Sequence, residues 1–101
     1  MNVKYGLNIT EQDLNVNLKR IINLTYKLLP MREEGGQWKK TLETIIEELV
    51  GMNNLLIDQQ VKIFPIICKM EGLFNLTQNE DFFLYRRTIF ECLSLLNSIS
   101  V

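Results

Sequence analysis

Histidine is absent from all 101 residues of the chain. Histidine is the usual general base and the commonest metal ligand, so a Ser-His-Asp or Cys-His catalytic arrangement cannot form within one chain. Two cysteines are too few for a four-ligand zinc site. The Gly35-Gly36 pair lacks the Lys-Ser/Thr that follows in a phosphate-binding loop. We therefore expect no catalytic, cofactor or metal site, and no enzyme activity.

Strong net charge and long apolar runs are missing as well. Eleven basic side chains face twelve acidic ones, a formal net charge of −1, so no overall field attracts nucleic acid or an anionic membrane. No apolar run approaches the roughly 18 residues of a membrane span. The first residues, "MNVKYGLNITEQDL", lack the apolar segment of a secretory signal. With only two cysteines, we expect a cytoplasmic protein that does not contact membranes.

Alanine is also absent, while Asn, Ile, Leu and Lys are abundant. This bias is typical of AT-rich coding and favours a bacterial or phage origin. The chain is 47% hydrophobic with only two prolines, which is a globular composition, and its length suits a single domain spanning residues 1–101. Without alanine, large side chains fill a small core quickly.

Two similar stretches, "GLNITEQDL" at 6–14 and "GLFNLTQNEDF" at 72–82, are predicted helix starts. In the first, Thr10 is a good N-cap and Asp13 lies where a capping-box acid reaches back. In the second, Thr77 takes the cap position and Glu80 closes the box. Because the sequences diverge after the caps, we interpret them as two occurrences of the same N-capping motif, not as an internal repeat.

Apolar residues recur at helical spacing along the chain, and nothing alternates as a strand would. The pattern predicts an all-α fold, a compact antiparallel bundle of four helices joined by short connections. Pro30 should end the first helix, Gly51 should cap the second, and Pro65 should kink or break the third. The third helix is apolar almost all round and is expected to be the most buried. The predicted helices span residues 11–29, 37–50, 58–71 and 78–98.

Helices three and four are apolar on more than the one face that a small monomeric bundle requires. A homo-oligomer or a complex with another protein would cover the surplus. For Phe83 and Phe90, which lie off the main stripe, core packing and interface are equally open. Aromatic residues and arginine dominate interface energetics. The predicted partner interface comprises Trp38, Phe82, Phe83, Tyr85, Arg86, Arg87 and Phe90.

The first helix has a basic face that also carries amides. The cations could contact phosphates or an acidic protein, or they could be solvated or paired with glutamates of helix two, such as Glu43, Glu47 and Glu48. The face consists of Asn15, Lys19, Arg20, Asn23 and Lys27.

The two cysteines, Cys68 and Cys92, lie in apolar runs of different helices. We expect both to be buried structural thiols, with a facing pair as the alternative.

These patterns favour a small non-enzymatic cytoplasmic protein-interaction module, such as a subunit, adaptor or inhibitor. The alternative is a small DNA-associated regulator that uses the basic face of helix one.

Overall fold

The computed structural model describes residues 11–99, and it confirms an all-α fold of four helices. Short 3-10 segments at Ile57–Gln59, Leu73–Asn75 and Asn79–Asp81 lie in the connections. The four helices are α1 Glu11–Glu33, α2 Trp38–Leu55, α3 Gln60–Gly72 and α4 Phe82–Asn97.

The helices form a closed ring in which α1 packs against α2 and α4, and α3 packs against the same two neighbours. Side-chain pairs give the directions. Met31, late in α1, contacts Thr41, early in α2, and Arg20, near the middle of α1, pairs with Glu48, farther along α2. Lys69, late in α3, reaches Glu91 in the middle of α4, and Lys62 donates to the Ser98 carbonyl just beyond the end of α4. The α1–α2 and α3–α4 pairs are therefore antiparallel.

One apolar stripe from each helix fills the centre of the bundle. Burying a large aliphatic side chain contributes roughly 1.5–3 kcal/mol, so these stripes are the main source of stability. Thr25, the one buried polar residue of the described chain, donates its hydroxyl to the Ile21 carbonyl. The fully buried side chains include Ile21, Leu28, Leu42, Ile45, Leu49, Ile63, Ile66, Met70, Tyr85, Ile89 and Leu96.

The first helix does not end at Pro30, as the sequence predicts, but runs to Glu33. Pro30 removes the one hydrogen bond that its own N–H would donate, but its exposed ring leaves the following residues free to keep helical angles to Glu33. The helix is ended instead by Gly35, whose φ of 74° is left-handed. The Gly36 N–H donates to the Met31 carbonyl and the Gly35 N–H to the Arg32 carbonyl, which is the Schellman arrangement.

The other predicted helix boundaries also shift. Helix α2 passes through Gly51 to Leu55, so Gly51 is not a C-cap. Helix α3 is continuous from Gln60 through Pro65, so the predicted break is absent; a kink there stays a prediction. Gly72 is the last residue of α3 and has helical angles.

The cap that precedes α4 is displaced by one residue from the predicted Thr77 and Glu80. The Gln78 N–H donates to the Asp81 carboxylate at 3.1 Å, which closes a 3-10 turn before the α-helix begins at Phe82. Gln78 and Asp81, three residues apart, therefore occupy the positions predicted for Thr77 and Glu80. The predicted cap at Thr10 lies outside the described residues.

Gly51 and Gly35 form a matched pair for testing helix continuity. A Cβ added at either position meets no atom within 4 Å, so only the backbone differs between them. We expect Gly51→Ala to raise the free energy of unfolding by about 0.5–1 kcal/mol, because alanine is the better helix former. Gly35→Ala should lower it by about 1–2 kcal/mol, because L-residues are strained at positive φ. Urea unfolding followed by circular dichroism measures both free energies. Changes of the same sign would contradict the assignment of Gly51 to a helix interior and of Gly35 to a left-handed helix end.

Candidate functional site

The predicted interface aromatics divide into two groups. Trp38 and Tyr85 are buried and Phe82 is half-buried, so these three belong to the protein interior. Phe83 is 76% exposed and Phe90 is 45% exposed. For the first group, core packing is therefore the structural role, whereas the second group lies on the outside of α4.

The side chain of Arg32, in the last turn of α1, ties the chain segment before α4 to the bundle. Its Nη2 donates to the Leu76 carbonyl at 2.9 Å and to the Gln78 carbonyl at 2.8 Å, and its Nε lies 3.3 Å from the Leu76 carbonyl. A guanidinium makes such forked contacts because its donors are planar and fixed.

The same guanidinium is surrounded by the three inner aromatics. Its central carbon lies 4.7 Å from the centre of the Tyr85 ring, 5.2 Å from Phe82 and 6.0 Å from Trp38. Trp38 meets Tyr85 edge-on, with ring centres 5.2 Å apart. Cation–π attraction and hydrogen bonds therefore converge on one group, which sequence analysis did not single out. We call this arrangement the Arg32 clamp.

On the outer side of α4, four side chains follow each other along two turns. Phe83, Arg86, Arg87 and Phe90 line an open groove of about 570 Å³, together with Glu91 and Ser94. The Arg86 guanidinium lies over the Phe90 ring, 5.1 Å from its centre. We call these first four residues the α4 face. The structure thus brings four of the seven predicted interface residues together on one exposed surface.

A charge network borders the α4 face. Lys69 Nζ donates to Glu91 at 2.9 Å, and Arg87 Nε lies 3.4 Å from the other carboxylate oxygen. The hydrogen bond and the charge of Lys69 lower the pKa of Glu91, and the hydrogen bond with Glu91 raises the pKa of Lys69. Glu91 is therefore ionised and paired with Lys69 and Arg87 of its own chain.

Helix α3 also carries an outer apolar strip, contrary to the prediction that it is the most buried helix. Ile57, just before α3, is 52% exposed, Val61 81% and Phe64 58%, and Cys68 continues the strip at helical spacing. The reason is geometric: in a four-helix ring, each helix has only about one face toward the core. We call these four residues the α3 strip.

The predicted basic face of α1 is exposed and forms a shallow groove of about 430 Å³. Arg20 pairs with Glu48 of α2 at 2.7 Å. Within residues 11–99, no ion pair joins Lys19 or Lys27 to a carboxylate. Asn15 is exposed but does not line the groove, which is bounded by Val16, Lys19, Arg20, Asn23, Leu24 and Lys27.

The two cysteines differ, and neither forms a disulfide. Cys92 is fully buried, as predicted, and burial raises the pKa of its thiol from an ordinary value of 9.0 to about 12. The prediction for Cys68 is wrong, because it lies on the exposed side of α3.

No group of three Cys, Asp or Glu side chains suited to a metal ion occurs within residues 11–99. In that same part of the chain, no helix is long and apolar enough to cross a bilayer. No protein-family model, curated protein or solved structure matches the chain.

The Arg32 clamp can be tested against an arginine that also lies over an aromatic ring. We expect Arg32→Met to lower the free energy of unfolding by about 2–3 kcal/mol, because it removes charged hydrogen bonds and the ring contacts. Arg86→Met should change it by no more than about 0.5 kcal/mol, since Arg86 is exposed. Urea unfolding monitored at 222 nm gives both values, and equal effects would contradict the clamp.

The buried Cys92 thiol predicts a loss of stability in alkali. Its folded pKa is raised, so between about pH 9 and 12 the unfolded chain loses this proton first, and the free energy of unfolding falls. We expect a fall of about 1 kcal/mol between pH 7.5 and 9.5. Cys92→Ala should remove most of this fall, whereas Cys68→Ala should keep it. If the free energy of unfolding of Cys92→Ala falls as much as that of the wild type, other groups are responsible for the pH dependence.

Proposed function

We propose that this protein is a small non-enzymatic interaction module of the cytoplasm, acting as a subunit, adaptor or inhibitor. It binds another protein molecule through the α4 face. The observation that supports this most is the exposure of Phe83 and Phe90 on one side of one helix, beside Arg86 and Arg87.

Energetics favour an interface at this place. Removing a phenyl ring from water contributes roughly 1.5–3 kcal/mol, so two such rings are a substantial anchor. Phenylalanine and arginine are enriched where protein surfaces meet, and charged lysine and glutamate are depleted. The α4 face has this composition, since its four residues are two phenylalanines and two arginines.

The α3 strip is a second exposed apolar surface, on a helix that packs against α4. Val61 and Phe64 add uncharged area that a second copy of the chain or a larger partner would bury. The proposal includes both a homo-oligomer and a complex, and light scattering at several concentrations separates the two. A stable interface buries about 800 Å² on each partner, which is more than one helix turn supplies.

The second candidate function is a DNA-associated regulator that binds through α1. The exposed groove lined by Lys19, Asn23 and Lys27 supports it. The pairing of Arg20 with Glu48 reduces the charge available for phosphates. Such binding would weaken as salt rises, and substitutions in the α4 face would leave it unchanged.

Site-specific crosslinking in cells of the source organism tests the first candidate. Benzoylphenylalanine placed at position 83 should give one discrete crosslinked protein species, because this position lies inside the proposed interface. Adding Phe90→Ser should reduce the yield at least tenfold, since about 1.4 kcal/mol of lost binding suffices for that factor.

Positions 26 and 50 supply matched controls. Tyr26 of α1 and Val50 of α2 are exposed apolar residues of other helices that do not line the α4 groove, with exposed fractions of 51% and 41%. The photoreactive residue at these positions should give no discrete species. Equal crosslinking at positions 50 and 83, or none at 83, would contradict the proposed function.

A further inference from the structure

The α4 face carries more positive than negative charge, although the whole chain is slightly acidic. Arg86 and Arg87 are exposed, and Lys69 and Arg87 reach the same carboxylate, that of Glu91. Glu91 is the only carboxylate lining the groove, and it is already held by Lys69 and Arg87. Three cations against one carboxylate leave an unbalanced positive surface around two exposed phenyl rings.

Arg86 is the cation most available to a partner. Within residues 11–99 its guanidinium contacts the Phe90 ring but no carboxylate. The ring contact orients the planar fork without occupying all of its N–H donors, and that fork matches a carboxylate in a two-point hydrogen bond. The Phe90 ring therefore holds one face of the Arg86 guanidinium, and the N–H donors remain available to a carboxylate of a partner.

The two phenyl rings have the spacing of a helix-binding groove. Phe83 and Phe90 lie seven residues apart, which corresponds to about 10.5 Å along α4 at 1.5 Å per residue. An amphipathic helix presents apolar anchors at i, i+3 or i+4 and i+7, with the same repeat. The groove that they line is open to solvent.

From these features we infer that the occupant of the α4 face is an acidic amphipathic helix of a different protein. This inference rests on the proposed function and adds the chemistry of the partner. Its apolar residues contact Phe83 and Phe90, and its Asp or Glu side chains pair with Arg86 and Arg87. A symmetric pairing of two α4 faces is disfavoured, because it places the arginines of both copies against each other.

A display selection tests the inference with peptides in place of the natural partner. Random 16-residue peptides are selected on the wild-type protein and depleted on the variant carrying Phe83→Ser and Phe90→Ser. We expect the enriched peptides to be net acidic, with apolar residues at helical spacing. Binding of the best synthetic peptide, measured by fluorescence anisotropy, should weaken as salt rises.

Paired charge variants give the decisive comparison. Arg86→Gln with Arg87→Gln should weaken binding of the selected peptide about tenfold, as two exposed charge pairs contribute together. Lys39→Gln with Lys40→Gln removes two adjacent exposed cations from α2, away from the α4 face, and should change binding less than twofold. Circular dichroism of both variants checks that the fold is kept.

The outcomes separate this inference from the proposed function. Enriched peptides that need Phe83 and Phe90 but are neutral or basic would overturn the acidic partner and leave the interface standing. A concentration-dependent dimer that Phe83→Ser dissociates would assign the face to a second copy and also overturn the inference. A selection that yields no peptide dependent on the two phenylalanines would contradict both.

Discussion

The structure depends on the position that the Arg32 guanidinium imposes on the start of α4. This one group lies over the rings of Tyr85 and Phe82 and donates to the two carbonyls of the preceding segment, at Leu76 and Gln78. A cation surrounded by rings and carbonyls fixes rotation as well as distance, because the forked donors have one geometry. Once the first turn of α4 is set, the rotation of every later residue follows from the 100° step of the helix.

That rotation decides which phenylalanine of the Phe82-Phe83 pair faces the interior. Phe82 lies against Arg32, so Phe83 must point outward, and Phe90, two turns later, shares its side. The exposed aromatic surface is thus a consequence of the clamp at the bundle end. A bundle without alanine has little room to take a second ring inside, since its core positions are already occupied by Leu, Ile and Met. The apolar surplus remains on the outside, where another molecule can bury it.

Sequence periodicity was sufficient for the four helices and their core stripes, because burial follows the 3.6-residue repeat directly. It failed at boundaries decided by hydrogen bonds between neighbouring backbone groups, such as the left-handed Gly35 and the Gln78–Asp81 turn. It overestimated the burial of α3, because hydropathy alone does not show that a ring of four helices leaves one side of each helix outside.

The candidate site was predictable only in part, for a related reason. Composition indicated surplus apolar surface, but whether Trp38 or Phe83 supplied it depended on contacts between helices distant in sequence. In the sequence, nothing distinguishes Arg32 from the other cations, because the aromatic rings that it contacts lie on other helices. The most direct test of this account is ¹⁹F NMR of protein labelled with 4-fluorophenylalanine, comparing resonances in H₂O and D₂O. The account predicts a large solvent isotope shift for Phe83 and a small one for Phe82; a shielded Phe83 with a solvent-exposed Phe82 would contradict it.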